Sequence, residues 1–362
     1  MSRRPPSLLR HLARLTDEVG IVEHARLDRP RSDLGYCTDD AGRLLGVASK
    51  LSGEPDAHRL ATVALRFLGH AHDGAASFRL RLGPDGSWTD DAPSDDAIGR
   101  ALYGLGTAVA WAPWPEVRDG ALELFDKAVA FRSAHPRATA YAALGATAVL
   151  DGGADHDGAD HDGADHDGAR RLVTDAAEML PHARTAAEWP WPEPKLSYAN
   201  ALIPEASLAV AVACGDRRAA RGALSLLGWL VKAQTVDGRF SFVPVGGRGP
   251  NDTKPAFDQQ PIEAWAMADA CARAFTCTGD PFWADALGCA AGWFAGDNDS
   301  GVLVFDPASG GGFDGLEAKG VNRNQGAEST LAFVATMAQA QTLRRQGQAD
   351  RYRPAAASAS SR

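Results

Sequence analysis

Long apolar runs, paired cysteines and an excess of positive charge are all missing from this chain, and each absence closes off a class of protein. Gly, Asp, Arg or Pro breaks every apolar stretch before it reaches the roughly 18 to 20 residues that a membrane-spanning helix needs, so no membrane span is expected. The five cysteines (Cys37, Cys214, Cys271, Cys277, Cys289) are odd in number and show no CxxC spacing. They argue against a disulfide framework or a zinc site. Lys and Arg total 37 against 46 Asp and Glu, a formal charge of -9, which is the wrong sign for gripping a phosphate backbone. No nucleic-acid partner is expected. Gly-rich dinucleotide and Walker patterns, HExxH and the nucleophile elbow are absent as well, so neither a cofactor nor a metal is called for. The basic N-terminus MSRRPPSLLRHLARLTDEVG has too short and too charged an apolar patch for a signal peptide, which predicts a cytoplasmic protein.

What remains, at 362 residues with 45% hydrophobic and 23% charged content, is a globular chain with enough length for a sizeable core. Apolar periodicity with caps and Gly/Pro stops predicts twelve helices, starting near residues 7, 40, 56, 95, 116, 138, 168, 198, 217, 261, 281 and 328. Strand candidates are few and short: SFRLRL near 79, RFSFVPV near 241 and GVLVF near 303. Alternate helices are apolar around most of their circumference and open with the polar segments GYCTDD, PSDDAIGR, HPRATA, KLSYAN, FDQQPIE and NQGAEST. The helices between them are amphipathic. An inner ring alternating with an outer one is the pattern of an all-α (α/α)6 toroid with a few short rim strands, and the six polar segments would then meet at one cup. The plainer alternative is that these segments are ordinary N-caps. The expected domain is a single toroid over residues 1–346, with a low-complexity loop at 151–168 and a disordered tail at 347–362. The loop holds three copies of Gly-Ala-Asp-His-Asp, whose histidines His156, His161 and His166 could gather a cation but read more simply as a solvated insertion.

Paired carboxylates are the strongest chemical signal, at Asp39-Asp40 and Asp95-Asp96, each at the start of an expected inner helix. Crowding or burying one acid raises its pKa while helix N-termini favour ionised ones, so such a rim can hold one acid protonated and another charged. Asp258, Glu263 and Glu328 add carboxylates at two further helix starts. Asn200, Gln259, Gln260, Asn324 and Gln325 offer amides, and Tyr36, Trp189, Trp191 and Tyr198 offer flat faces, both suited to a neutral polyhydroxylated ligand. Arg100 and Arg137 could clamp an anionic group or hold rim carboxylates. Six glycines between Gly310 and Gly326 suggest a loop too flexible to serve packing alone, folding over the cup. The run Asp90-Asp91-Ala92-Pro93-Ser94-Asp95 superficially matches a magnesium-binding acidic motif, but Pro93 disfavours the continuous helix that motif requires.

The strings HLARLTDEVGIVEHARLDRPRSDLGYCTDD, FDQQPIEAWAMADA and GVNRNQGAESTLAF resemble a bacterial family of six-hairpin glycosidase-like (α/α)6 proteins found beside or fused to glycosyltransferases, over His11 to Ala340. The resemblance implies the toroid, a carbohydrate-related role and a possible glycosyltransferase partner. Three positions depart from the family pattern: Ala41-Gly42 where an Asn is expected, Asp95-Asp96 in place of Glu-Asp, and Ala199 where Tyr-Asp-Asn would put an Asp. The last of these removes a rim carboxylate and leaves room for a binding-only member.

Taken together, the residues predict a carbohydrate-active enzyme that cleaves a glycosidic bond with one carboxylic acid and one carboxylate. The arrangement would be inverting, with the two groups roughly 6.5 to 9.5 Å apart. Asp40 with Asp96 is the first pair to consider and Asp258 with Glu328 the second. Asp39, Asp95 and the other named polar and aromatic residues would bind an oligosaccharide or glycoside. Alternatives are a non-catalytic glycan-binding subunit of a glycosyltransferase system, a phosphorylase using Arg100 or Arg137, and a sugar epimerase. The last would use histidine, and only His24 and His135 lie in segments near the rim.

Overall fold

The computed structural model describes residues 6–90, 92–155, 166–183 and 188–351. Twelve helices follow one another: α1 (Arg10–Leu15), α2 (Thr38–Lys50), α3 (Ala57–Ala71), α4 (Asp95–Trp111), α5 (Pro115–Ala128), α6 (Pro136–Asp155), α7 (Asp167–Met179), α8 (Leu202–Ala213), α9 (Arg217–Gln234), α10 (Pro261–Thr278), α11 (Pro281–Phe294) and α12 (Ala327–Arg351). Prolines open α5, α10 and α11, where the missing N–H costs nothing, and Ser94, Asp216 and Asp280 cap α4, α9 and α11 with their side chains.

The even-numbered helices form the inner ring, each packing on the next from α2 through α12 and back to α2, while α3, α5, α7, α9 and α11 back them and α1 lies against α12. Burial explains the split. From Ala97 to Val109 every residue of α4 is buried, whereas α3 and α9 bury one apolar face only. The tightest seam runs α2–α4–α6, and glycine makes it. A Cβ at Gly104 would run into the Gly42 carbonyl, and one at Gly106 into that of Gly145. Backbone therefore meets backbone, and this close approach carries the first turns of α2, α4 and α6 together at the rim.

Four two-stranded antiparallel ribbons decorate the loops: β1 (Ala25–Arg26) with β2 (Arg29–Pro30), β3 (Tyr36–Cys37) with β4 (Arg81–Leu82), β5 (Thr235–Val236) with β6 (Arg239–Phe240), and β7 (Gly315–Glu317) with β8 (Gly320–Asn322). The first two expected strands thus shrink to β4 and β6. GVLVF forms no ribbon; it is held by an isolated bridge between Phe305 and Gly312 and by Val304 N donating to Phe294 O.

The glycine-rich segment is the larger departure from expectation. It folds as the β7–β8 hairpin, tied by reciprocal backbone bonds between Gln259 and Leu316 at 3.0 and 2.9 Å. Side chains at Gly311, Gly312 and Gly315 would strike Gln325 Oε1, the Ser329 carbonyl and Asp258 Oδ1. Glycine serves close packing here after all. The helix α12 continues to Arg351, past the point where the sequence places the start of the tail; residues 352–362 and the repeat body at 156–165 lie outside the described residues.

Candidate active site

The first turns of α2, α4, α10 and α12 and the turn before α8 build one connected set of acids and arginines. On α2, Asp40 and Arg43 are three residues apart and share a face. Arg43 donates to Asp40 Oδ1 at 2.7 Å and, across the seam where α12 closes on α2, to Glu328 Oε2 at 2.5 Å. Asp40 is only 3% exposed. Burial pushes its carboxyl up to about 7 against the pull of Arg43, with Glu328, Glu23 and Asp39 adding repulsion. Arg100 on α4 joins Asp39 at 2.8 Å to Asp96 at 3.4 Å and lies 5.0 Å from the Tyr141 ring centre. Asp96 in turn accepts the Tyr198 hydroxyl.

The turn before α8 links the remaining elements. Ala199 is buried with φ of +44°, a left-handed conformation that is strained for a residue with a Cβ. That conformation accompanies two divergent neighbours: Tyr198 reaches Asp96, while Asn200 donates its amide to Glu263 Oε2 at 2.9 Å. Arg137 at the start of α6 braces the turn. It binds Glu193 through two bonds of 2.9 Å, donates to the Tyr198 carbonyl and to Asn200, and stacks 4.8 Å from the Tyr198 ring centre. Glu263 is 3% exposed and burial pushes it up to about 7, opposed by Asn200 and Arg137; its Oε1 has no hydrogen-bond partner.

A cavity of about 190 Å³ opens against this set, lined by Tyr198, Val245, Gln260, Glu263 and Glu328 among others. That is many times the roughly 10 to 15 Å³ that a single water needs, so a group larger than water can enter. Tyr198, 38% exposed, and Val245 supply apolar surface at its edge, and the two glutamates and Gln260 supply the polar groups. Of two carboxyls on one cavity, Glu263 is kept uncharged by burial up to about pH 7 and Glu328 is ion-paired with an arginine. That pairing can give and take a proton at one place.

Other residues singled out in the sequence lie elsewhere. Trp191 is fully buried, parallel to Trp229 and donating to Glu193, with no face left for a ligand. Trp189 likewise packs edge-on against Trp229. Tyr36 donates to Asp17 at 2.7 Å and packs near Phe67. Gln259 is sealed between Asp299, Trp293 and the Phe242 N–H. Gln325 accepts from Ser309 and Asn324 accepts from the Leu27 N–H, so both staple loops. Asp95 accepts from Ser133 at 2.5 Å. Asp258 lies below Gly315, where burial and then Glu317 and Asp314 raise its pKa, and it does not line the cavity. Asp90 of the acidic run is bound by Arg79, α4 starts only at Asp95, and Asp91 lies outside the described residues.

Conversely, Arg43, Tyr141 and Glu193 belong to the site without having stood out. Arg43 was readable from its three-residue spacing to Asp40; nothing in WPWPEP marked Glu193. Among the described residues, Glu23, Cys37 and Asp40 are the one group placing three ligand atoms within 4.8 Å of one another. Arg81 and Arg43 already balance both carboxylates and burial raises the thiol pKa, so a dication would compete there with two guanidiniums.

No family model matches the sequence, and no curated protein does either. Solved structures do match by shape. Cellobiose 2-epimerase from Bacillus thermoamylovorans superposes with a TM-score of 0.68 at 13% identity, covering 94% of this chain and 96% of that one. The chain has the six-hairpin glycosidase-like fold. A D-mannose isomerase (TM-score 0.62, 11% identity, 93% and 96% covered) and a GH76 α-mannanase from Bacteroides thetaiotaomicron (0.60, 12%, 94% and 96%) share the same ring. No described helix is long and apolar enough to cross a membrane.

Proposed function

We propose that this protein is a carbohydrate-active enzyme that cleaves a glycosidic bond in the cup, with Glu263 as general acid and Glu328 as general base. The observation that carries the reading is their shared cavity, with one carboxyl held protonated by burial and the other ion-paired to Arg43. The leaving oxygen takes the Glu263 proton as its bond to the anomeric carbon breaks. Water adds to that carbon and passes a proton to Glu328, so one water is consumed per bond. Asp40, enclosed behind Arg43, and Asp96, held by Tyr198 and Arg100, act on this reading by fixing the arginines. The segments resembling proteins found beside glycosyltransferases support a glycosyltransferase as a functional neighbour.

A second reading, epimerisation or isomerisation of a sugar, is favoured by the likeness to cellobiose 2-epimerase and D-mannose isomerase. Against it, His24 and His135 are both exposed and, among the described residues, no histidine lines the cavity. Product analysis by NMR on reducing disaccharides and aryl glycosides separates the two. Cleavage that falls at least about a hundredfold in Glu263→Gln and Glu328→Gln supports the first reading. An epimer formed with the bond intact, or cleavage untouched by both changes, sinks it.

A further inference from the structure

The charge of the ligand can be read from how the arginines are used. Arg43 is shared by Asp40 and Glu328, Arg100 by Asp39 and Asp96, Arg137 is gripped bidentately by Glu193, and Arg81 pairs with Glu23. Each guanidinium tied to the cup's carboxylates already has its counter-charge in place. Arg43 and Arg100 each keep an unbonded Nε–H, but both atoms are sealed from solvent. Glu263 has no cation bonded to it; its partner is the neutral Asn200 amide. Among the described residues, the cavity lining holds two glutamates and the Gln260 amide but no Lys or Arg, and Arg248, which acts on Glu263 from nearby, is buried with its guanidinium donating to the Ser241 and Phe242 carbonyls.

We propose that the cup is selective for uncharged sugars, excludes uronates and sugar phosphates, and uses water rather than inorganic phosphate as acceptor. This deepens the glycosidic-bond reading and rests on it. An anion entering near Tyr198 would have to displace a carboxylate that already holds a charge-assisted bond, while lying close to Glu263 and Glu328. A hydroxyl meets neither obstacle, because it can donate to a carboxylate and accept from an amide.

The test frees one guanidinium at a time. Isothermal titration with inorganic phosphate, glucuronate and glucose 6-phosphate is run on the wild type, Glu193→Ala and Asp96→Ala, with circular dichroism to confirm the fold. The wild type is expected to show no saturable anion binding. At least one variant, with Arg137 or Arg100 released, should bind phosphate about tenfold or more tighter. Saturable anion binding by the wild type that is lost in Arg100→Gln or Arg137→Gln would overturn the proposal. Two well-folded variants that gain no anion binding would overturn it too. Wild-type binding lost instead in Arg323→Ala, an exposed residue before α12, would equally refute exclusion by placing a free cation at the cup. Product formation from neutral glycosides judges the parent reading separately, since titration needs no turnover.

Discussion

Burial raises the proton affinity of Glu263, and the Asn200 amide is the largest of the groups that hold it back. Asn200 donates to the charged form of that carboxyl at 2.9 Å, and this bond opposes the burial that raises its pKa. Removing it in Asn200→Ala must raise the pKa further. A general acid that stays protonated to higher pH moves the alkaline limb of the rate profile upward, and a limb that stays put or moves down would show that Glu263 is not the acid. The same change leaves buried polar groups unpaired and should cost about 1 to 3 kcal/mol in stability. Residue by residue, the sequence was legible where chemistry and position coincide. Asp39, Asp40, Asp96, Glu263 and Glu328 were visible as acids at helix starts and do meet. Trp191, Gln259 and Gln325 were misleading because aromatic and amide side chains serve a buried loop as well as a ligand, and composition does not say which.

At the scale of elements, the seam between α2, α4 and α6 is where glycine does what no other residue can. Gly104→Ala forces a Cβ into the Gly42 carbonyl and should destabilise by about 1 to 3 kcal/mol or more in urea denaturation, with lowered activity because Arg100 of α4 and Asp39 of α2 would part. Gly222, exposed within α9 with nothing close to its Cβ position, is the control: Gly222→Ala should stabilise by about 0.5 to 1 kcal/mol. Equal effects at both sites would mean that the seam has slack. The β7–β8 hairpin makes a further prediction, because it presses Asp258 among Asp314 and Glu317 without a partner for Oδ1. Asp258→Asn should retain turnover within a few-fold and melt higher at neutral pH, whereas loss of turnover would return Asp258 to the catalytic pair. Helix starts were readable because caps, prolines and periodicity are local. The hairpin was not, because its glycines answer to Gln325, Ser329 and Asp258, which only the closed ring brings near.

For the whole molecule, closing six hairpins leaves an interior that cannot be filled by apolar side chains alone, and a second polar cluster spans it below the rim. Glu205 of α8 faces Arg273 of α10 at 3.4 Å, Asp269 of α10 binds Trp265 and Gln339 of α12 at 2.7 Å each, and Lys50 at the end of α2 donates to Tyr103 of α4 at 3.3 Å. These contacts tie α8, α10 and α12 to one another and α2 to α4, and the Lys50 charge acts across the gap on Glu205. Burial pushes Glu205 up to about 7, with Asp269 adding to the rise and Arg273 and Lys50 opposing it. Between the ordinary glutamate value and about 7 the unfolded chain gives up this proton and the folded one keeps it, so stability falls as pH rises through that window and levels off above it. Glu205→Gln removes the slope, at the cost of a pH-independent loss from its weakened bond to Arg273. Measured by urea denaturation, the stability of the variant relative to the wild type should therefore improve between pH 5 and pH 8 by on the order of 3 kcal/mol. A difference that is constant across that range, or that moves against the variant, would mean that Glu205 is ionised inside the ring and that Arg273 and Lys50 outweigh its burial.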